Sequence, residues 1–132
     1  MPEPTHQSER PQGELAIRTV AMPADTNPAG DIFGGWVLSQ MDMAGGMIAM
    51  RRAHGRVATV AIATMSFHQP VYVGDEVSCY GEIVKIGNTS ITIKISSWVR
   101  RGRGGDEIRV TEGVFTFVAI GEDRKPRKVP AA

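Results

Sequence analysis

The sequence predicts an α+β domain in which an antiparallel sheet wraps against one long helix. Three observations lead there. A single segment, Phe33 to about Arg52, has the apolar content and length of a helix. It is followed by long apolar, β-branched stretches separated by Gly, Pro, Asn and Asp. One helix is not enough to cover both faces of a parallel sheet, so an antiparallel sheet wrapped against it is the simplest solution.

The elements follow in order. Residues 1–13 are polar and Pro-containing with no apolar core, which reads as a frayed segment and not as a secretion signal. The domain proper is residues 14–120. Glu14 to Ala21 alternates Leu15, Ile17 and Thr19 against Ala16, Arg18 and Val20, as a short strand does. Met22 to Asp31 is a loop, dense in Pro, Asp, Asn and Gly. After the helix, Val57 to Phe67 is a strand, broken by Gln69-Pro70, and Val73-Gly74-Asp75 is a turn. Glu76 to Ile86 and Ser90 to Arg100 are strands joined by the hairpin turn Gly87-Asn88-Thr89. Ser90 to Ile95 alternates strictly, so one of its faces meets water. Arg101 to Gly105 is a flexible loop and Glu107 to Ile120 the last strand. Residues 121–132, charged and interrupted by Pro126, form a flexible basic tail.

Composition narrows the function classes. At 132 residues with 42% hydrophobic and 22% charged residues, the chain suits one soluble domain. No apolar run approaches the ~20 residues of a membrane helix. A single cysteine, Cys79, excludes an internal disulfide and a multi-cysteine zinc site, and His6, His54 and His68 lack metal-ligand spacing. A cytoplasmic protein without metal, cofactor, nucleic-acid or membrane partner is the expectation. The net charge of +1 conceals an asymmetry. Residues 1–84 carry five basic and nine acidic side chains, residues 85–132 ten and five. A basic second half attracts an anionic ligand, unless it is simply a set of solvated strand faces.

The helix holds the chemistry. It is apolar nearly all round, which predicts burial on most sides. Two features in it are costly. Gly45-Gly46 sits in mid-helix at about 1 kcal/mol per glycine. Asp42 is the only ionisable residue between Asp31 and Arg51, and a buried carboxylate is expensive unless paired or protonated. Helical spacing groups Asp42 with Leu38, Ser39, Gly45 and Gly46, a small face with room for a ligand or another backbone. Asp42 is therefore either a general base facing a cleft, the kind of group that desolvation tunes, or a structural carboxylate bonded to Ser39 or a neighbour. Gly34 and Gly35 open the helix, where unpaired N–H groups and the helix dipole can hold a developing oxyanion. An ordinary glycine-rich turn is the plainer reading, and neither a P-loop nor a dinucleotide fingerprint is present. Asn27, in the preceding loop, either orients a water or stabilises a turn. Cys79 lies in a strand pattern with no histidine near it, as a buried inert thiol would, and His68 reads as a packing or capping residue. The seven methionines read as core, though they also suit a flexible acyl pocket.

The run from Met22 through Asn27, Gly34 and Gly35 to Asp42 closely resembles the signature of the hotdog-fold acyl-CoA thioesterases, in particular the bacterial YciA-like group. The resemblance continues through His54-Gly55-Arg56-Val57, Phe67 to Asp75, Lys85 to Ser90 and Thr111 to Ala119, and covers roughly residues 15–130. It implies a hotdog fold, hydrolysis of acyl-CoA to free acid and CoA, and active sites at the interface of a dimer that assembles into a trimer of dimers. CoA then enters as part of the substrate and product, not as a cofactor. Asp42 matches the family's catalytic carboxylate, as general base or nucleophile. Asn27 matches an asparagine contributed by the other subunit, and the N–H groups of Gly34 and Gly35 would hold the thioester oxygen. Gly87, Asn88, Thr89, Ser90 and Arg56 would meet CoA. The group often carries Glu-Ser-Met-Asn-Phe where this chain has Ala63-Thr64-Met65-Ser66-Phe67, which reduces the polar inventory beside the site. A hotdog dehydratase would place a histidine with the helix carboxylate, and this helix has none. A non-catalytic acyl-CoA-binding protein is disfavoured by the intact Asn27 and Asp42.

Overall fold

The computed structural model describes residues 9–102 and 104–132. Of the N-terminal segment expected to fray, residues 1–8 lie outside the described residues, while Glu9 pairs with Arg109 at 3.1 Å. Five strands form one antiparallel sheet: β1 (Glu14–Val20), β2 (Val57–Phe67), β3 (Glu76–Ile86), β4 (Ser90–Arg100) and β5 (Ile108–Ala119), in the order β1-β3-β4-β5-β2. The helix α1 (Gly34–Ala53) lies across its concave face and touches every strand. This is the wrapped helix that the hotdog resemblance implied. The expected element bounds hold within one residue, and those of β2, β3 and β4 hold at both ends.

Strand periodicity places the core. Ile91, Ile93 and Ile95 of β4 are fully buried under α1, while Thr92 and Lys94 point to the other face. Phe115 and Phe117 of β5 complete the layer, stacked with ring centroids 6.3 Å apart. From the helix, Val37, Met41, Ala44, Ile48, Ala49 and Ala53 meet them.

Gly45 belongs to this contact and not to the ligand face expected for it. A Cβ there would run into Ile95 Cδ1 and come within 2.8 Å of the Phe117 ring. Gly81 of β3 makes matching room for Ile48, whose Cδ1 lies 2.7 Å from where its Cβ would be. The two glycines let helix and sheet approach closely, which offsets what Gly45 costs in helix propensity.

The helix is less enclosed than its apolar sequence predicts. Met43, Met47 and Met50 are each about half exposed. The reason is geometric: a five-stranded sheet covers one side of a cylinder, and the far side of α1 has nothing over it in a single chain. The edge strand β2 is also open. Its eleven residues include no charge, and Val60, Ile62 and Phe67 are exposed.

One basic residue organises the end of the sheet beside the Val73–Asp75 turn. Arg101 holds the buried Asp75 at 3.1 Å, donates to the Pro70 carbonyl at 2.6 Å and lies over the Tyr72 ring. The loop expected to be flexible thus begins at an anchor.

The chain end corrects the expected flexible tail. Val129 is buried, its N–H donates to the Asn88 carbonyl at 2.9 Å, and the Arg127 N–H donates to the Ala119 carbonyl at 2.8 Å. The charged residues that suggest a solvated end conceal one apolar anchor and a set of backbone partners distant in sequence.

Candidate active site

The loop before α1 is built around Asn27. Its Oδ1 accepts from the N–H groups of Ala29 and Asp31, at 3.0 and 3.1 Å. Its own N–H donates to the Asp31 carbonyl at 2.7 Å. These bonds fold residues 27–31 into a tight turn, as asparagine side chains do. A bridge between Thr26 and Ile32, and the Phe33 N–H bonded to the Asp25 carbonyl at 3.0 Å, deliver the chain to the helix start. Among the described residues the Asn27 amide nitrogen has no hydrogen-bond partner, so it is the group this residue can still offer.

The helix begins without a side-chain cap, and its first turn carries no acidic residue. The first bonds inside the helix come from Trp36 and Val37 to the Phe33 carbonyl. The N–H groups of Gly34 and Gly35 are left without a partner among the described residues. No atom lies within 4 Å of where a Gly35 side chain would begin, and the Phe67 ring stands 3.7 Å from the corresponding point at Gly34. An acceptor can therefore approach this pair of donors directly, beside an aromatic wall.

Asp42 lies eight residues further along α1, about 12 Å of helical rise. It is half-buried. The Thr59 hydroxyl of β2 donates to its Oδ1 at 2.6 Å. The alternative partner considered for it, Ser39, instead donates to the Trp36 carbonyl at 2.7 Å. No cation pairs with Asp42 among the described residues, and Oδ2 is open to accept a proton. Sequence reasoning missed Thr59. It carries no local signal, because only the folding of β2 across the helix brings positions 42 and 59 together.

One chain does not unite all the candidates. No hydrogen bond joins Asn27 to Asp42 among the described residues. The remaining candidates gather at the opposite end of α1, about 30 Å from its start. There the Ile120 N–H donates to the Arg56 carbonyl at 3.0 Å and the Ala119 N–H to the Thr89 carbonyl at 2.9 Å. The end of β5 thereby brings Arg56 alongside the hairpin Gly87, Asn88, Thr89 and Ser90. The Arg56 and Asn88 side chains are exposed.

Residues 29–105 match the sequence profile of the thioesterase superfamily. The chain belongs to that family. It is 51% identical over 129 residues to the acyl-CoA thioester hydrolase YciA of Salmonella typhimurium, a match spanning 96% of this chain and 97% of that protein. A hexameric thioesterase from Yersinia pestis superposes with a TM-score of 0.89 at 52% identity, over 93% of this chain and all of the other. A hexameric hotdog fold thioesterase of Campylobacter jejuni does so with a TM-score of 0.83 at 41% identity, over 89% of this chain and 91% of that one. The fold of this thioesterase is thus the hotdog expected from its sequence.

Cys79 takes no part in this geometry. It is fully buried in β3, and burial pushes its thiol up to about 12. Below that pH the thiol stays protonated, and only the thiolate reacts readily. At pH 8 a thiol-labelling reagent is expected to leave the folded thioesterase unmodified and to modify it fully in denaturant. Rapid labelling of the folded protein would show that β3 opens.

Proposed function

We propose that this chain hydrolyses acyl-CoA thioesters, with Asp42 as general base. The observation that carries the reading is a helix carboxylate with one oxygen held by Thr59 and the other open, in a fold that also leaves two N–H donors bare at its helix start. Water attacks the thioester carbonyl carbon while Asp42 accepts its proton. The Gly34 and Gly35 N–H groups hold the oxygen as it becomes an oxyanion. The tetrahedral species expels the CoA thiolate, which takes the proton back from Asp42. CoA is a product here, and the proposed chemistry calls on no resident cofactor.

The site forms between two copies. In this proposal β2, an uncharged edge strand, pairs antiparallel with β2 of a second copy. A two-fold axis at that pairing runs the two α1 helices antiparallel, so the start of one approaches the middle of the other. Asn27, Gly34 and Gly35 of one protomer then face Asp42 of its partner. The exposed Met43, Met47 and Met50 become wall for the acyl chain or for the partner helix. The exposed Arg56 and the hairpin Gly87, Asn88, Thr89 and Ser90 take the nucleotide end of CoA. The solved relatives that are hexamers support assembly of such dimers into a trimer of dimers.

Thiol release measured across a panel of short, medium and long acyl-CoA esters tests this directly. Turnover of at least one class is expected. Tight binding of the esters with no thiol release would replace hydrolysis with a binding role.

A further inference from the structure

The last residues of the chain form a strap across the end of the sheet where the CoA-contacting candidates gather. Arg127 is its centre. Its Nε donates to the Ile120 carbonyl at 3.1 Å and its Nη2 to the Ala53 carbonyl at 2.8 Å. Ala53 is the last residue of α1, and its carbonyl has no partner inside the helix. A guanidinium there also suits the negative end of the helix dipole. Two residues on, Val129 is buried and bonded to Asn88 of the hairpin, and Arg52 Nη1 donates to the Pro130 carbonyl at 2.6 Å. The strap therefore ties the end of α1, the end of β5 and the 87–90 hairpin to one another.

What it restrains is a turn that carries two potential cations. His54 sits in the left-handed conformation (φ 56°), a costly one for a non-glycine residue, and leads through Gly55 to Arg56. Gly55 has no room for a side chain larger than hydrogen without moving the strap: its Cβ would lie 2.8 Å from Arg127 Nη2. Next to the turn opens a cleft of about 390 Å³ lined by His54, Arg56, Ile120, Glu122 and Arg127. Arg127 spends its donors on backbone carbonyls. The exposed Arg56 side chain makes no ion pair among the described residues.

We propose that Arg127 is a positioning residue for recognition of the phosphorylated nucleotide of CoA, holding the His54–Arg56 turn against the end of β5 so that the cleft between the turn and residues 120–127 is preformed beside the 87–90 hairpin. This rests on the thioesterase reading for its substrate. Ordering a loose turn at the moment of binding costs affinity, and a preformed turn avoids that cost. The consequence is selective. Arg127 matters for ligands that carry the nucleotide and not for the thioester chemistry at the other end of the helix.

The experiment compares an acyl-CoA with the same acyl group on pantetheine, which lacks the nucleotide. Arg127→Ala is expected to raise KM for the CoA ester about tenfold, in keeping with the loss of charge-assisted hydrogen bonds, with kcat and the pantetheine kinetics unchanged. Arg127→Lys should recover part of the loss. Arg127→Gln keeps most of the side chain's bulk and an amide donor but loses the bidentate guanidinium, and should show the same selective rise even where Arg127→Ala does not fold. Equal changes with both substrates, or none, overturn the proposal. The dissociation constants of CoA and pantetheine, read by calorimetry on the same proteins, separate it from the catalytic reading. A loss confined to CoA upholds the strap even if no ester is hydrolysed, and equal affinities of the wild type for both ligands reject it.

Discussion

Asp42→Asn is expected to lower kcat for acyl-CoA hydrolysis by about 10²- to 10⁴-fold, the range associated with loss of a general base, with KM changed far less. The asparagine is nearly isosteric, and its carbonyl oxygen can still accept the Thr59 hydroxyl that now bonds Oδ1 at 2.6 Å. The local packing is kept and only the proton acceptor is lost. Circular dichroism and the assembly state should match the wild type, which separates a catalytic defect from misfolding. A variant within threefold of wild-type kcat would remove Asp42 from the mechanism. The activity would then have to be sought elsewhere on the surface around Gly34 and Gly35.

The second large effect is on stability. Phe117→Ala is expected to destabilise the fold by about 3–5 kcal/mol, a large part of the 5–15 kcal/mol typical of a domain. Phe117 is buried, stacks on Phe115 and lies opposite Thr59 on one side and Ile91 on the other. Its ring also supports the helix at Gly45, where a Cβ would meet it at 2.8 and 2.9 Å. Gly45→Ala alone should cost about 1–3 kcal/mol by overpacking, less the ~1 kcal/mol that alanine returns in helix propensity. In the Phe117→Ala background that cost should shrink, because one of the two colliding groups is gone while Ile95 remains. A coupling above about 0.5 kcal/mol in a double-mutant cycle by chemical denaturation is the expected reading. Strict additivity would mean that helix and sheet are not in contact through this pair. The seat matters for function too, since Gly45 is one turn from Asp42 and sets how far the carboxylate stands from Thr59.

The strands were legible because their punctuation is chemical. Gln69-Pro70, Gly87-Asn88 and the Arg101–Gly105 stretch interrupt β-branched runs, and the alternation in Ser90 to Ile95 declares which side is buried. The helix was legible in extent but not in orientation. Because α1 is apolar on every side, no stripe marks the side that the sheet covers, and exposure of Met43, Met47 and Met50 becomes visible only once the sheet is in place. Gly45 and Gly46 look alike in sequence, yet Gly45 alone is pinned between Ile95 and Phe117. For the site, Asp42 stood out as the lone ionisable residue of an apolar helix, whereas Asn27, Gly34 and Gly35 read equally well as turn residues and were singled out by the family resemblance. Thr59 did not, because a threonine in a strand is unremarkable until the strand crosses a carboxylate. The docked chain end escaped notice for the same reason: one valine among charges carries no signal, and the acceptors of Arg127 are carbonyls 7 and 74 residues away.

The open side of β2 has a consequence for the chain before it meets a partner. Eleven uncharged residues with unpaired backbone groups and exposed Val60, Ile62 and Phe67 are a template for indiscriminate strand addition. A newly made protomer therefore has a limited time in which to find its own kind. Its survival in solution depends on concentration, since association removes the hazard by mass action. Dilution should expose it: below the dissociation constant of the dimer, loss to aggregates and chaperones competes with reassembly, and mixed strands of unrelated proteins become rivals for the same edge. In the proposed dimer, the strand that brings the two halves of the site together is also the one that makes the solitary chain unsafe.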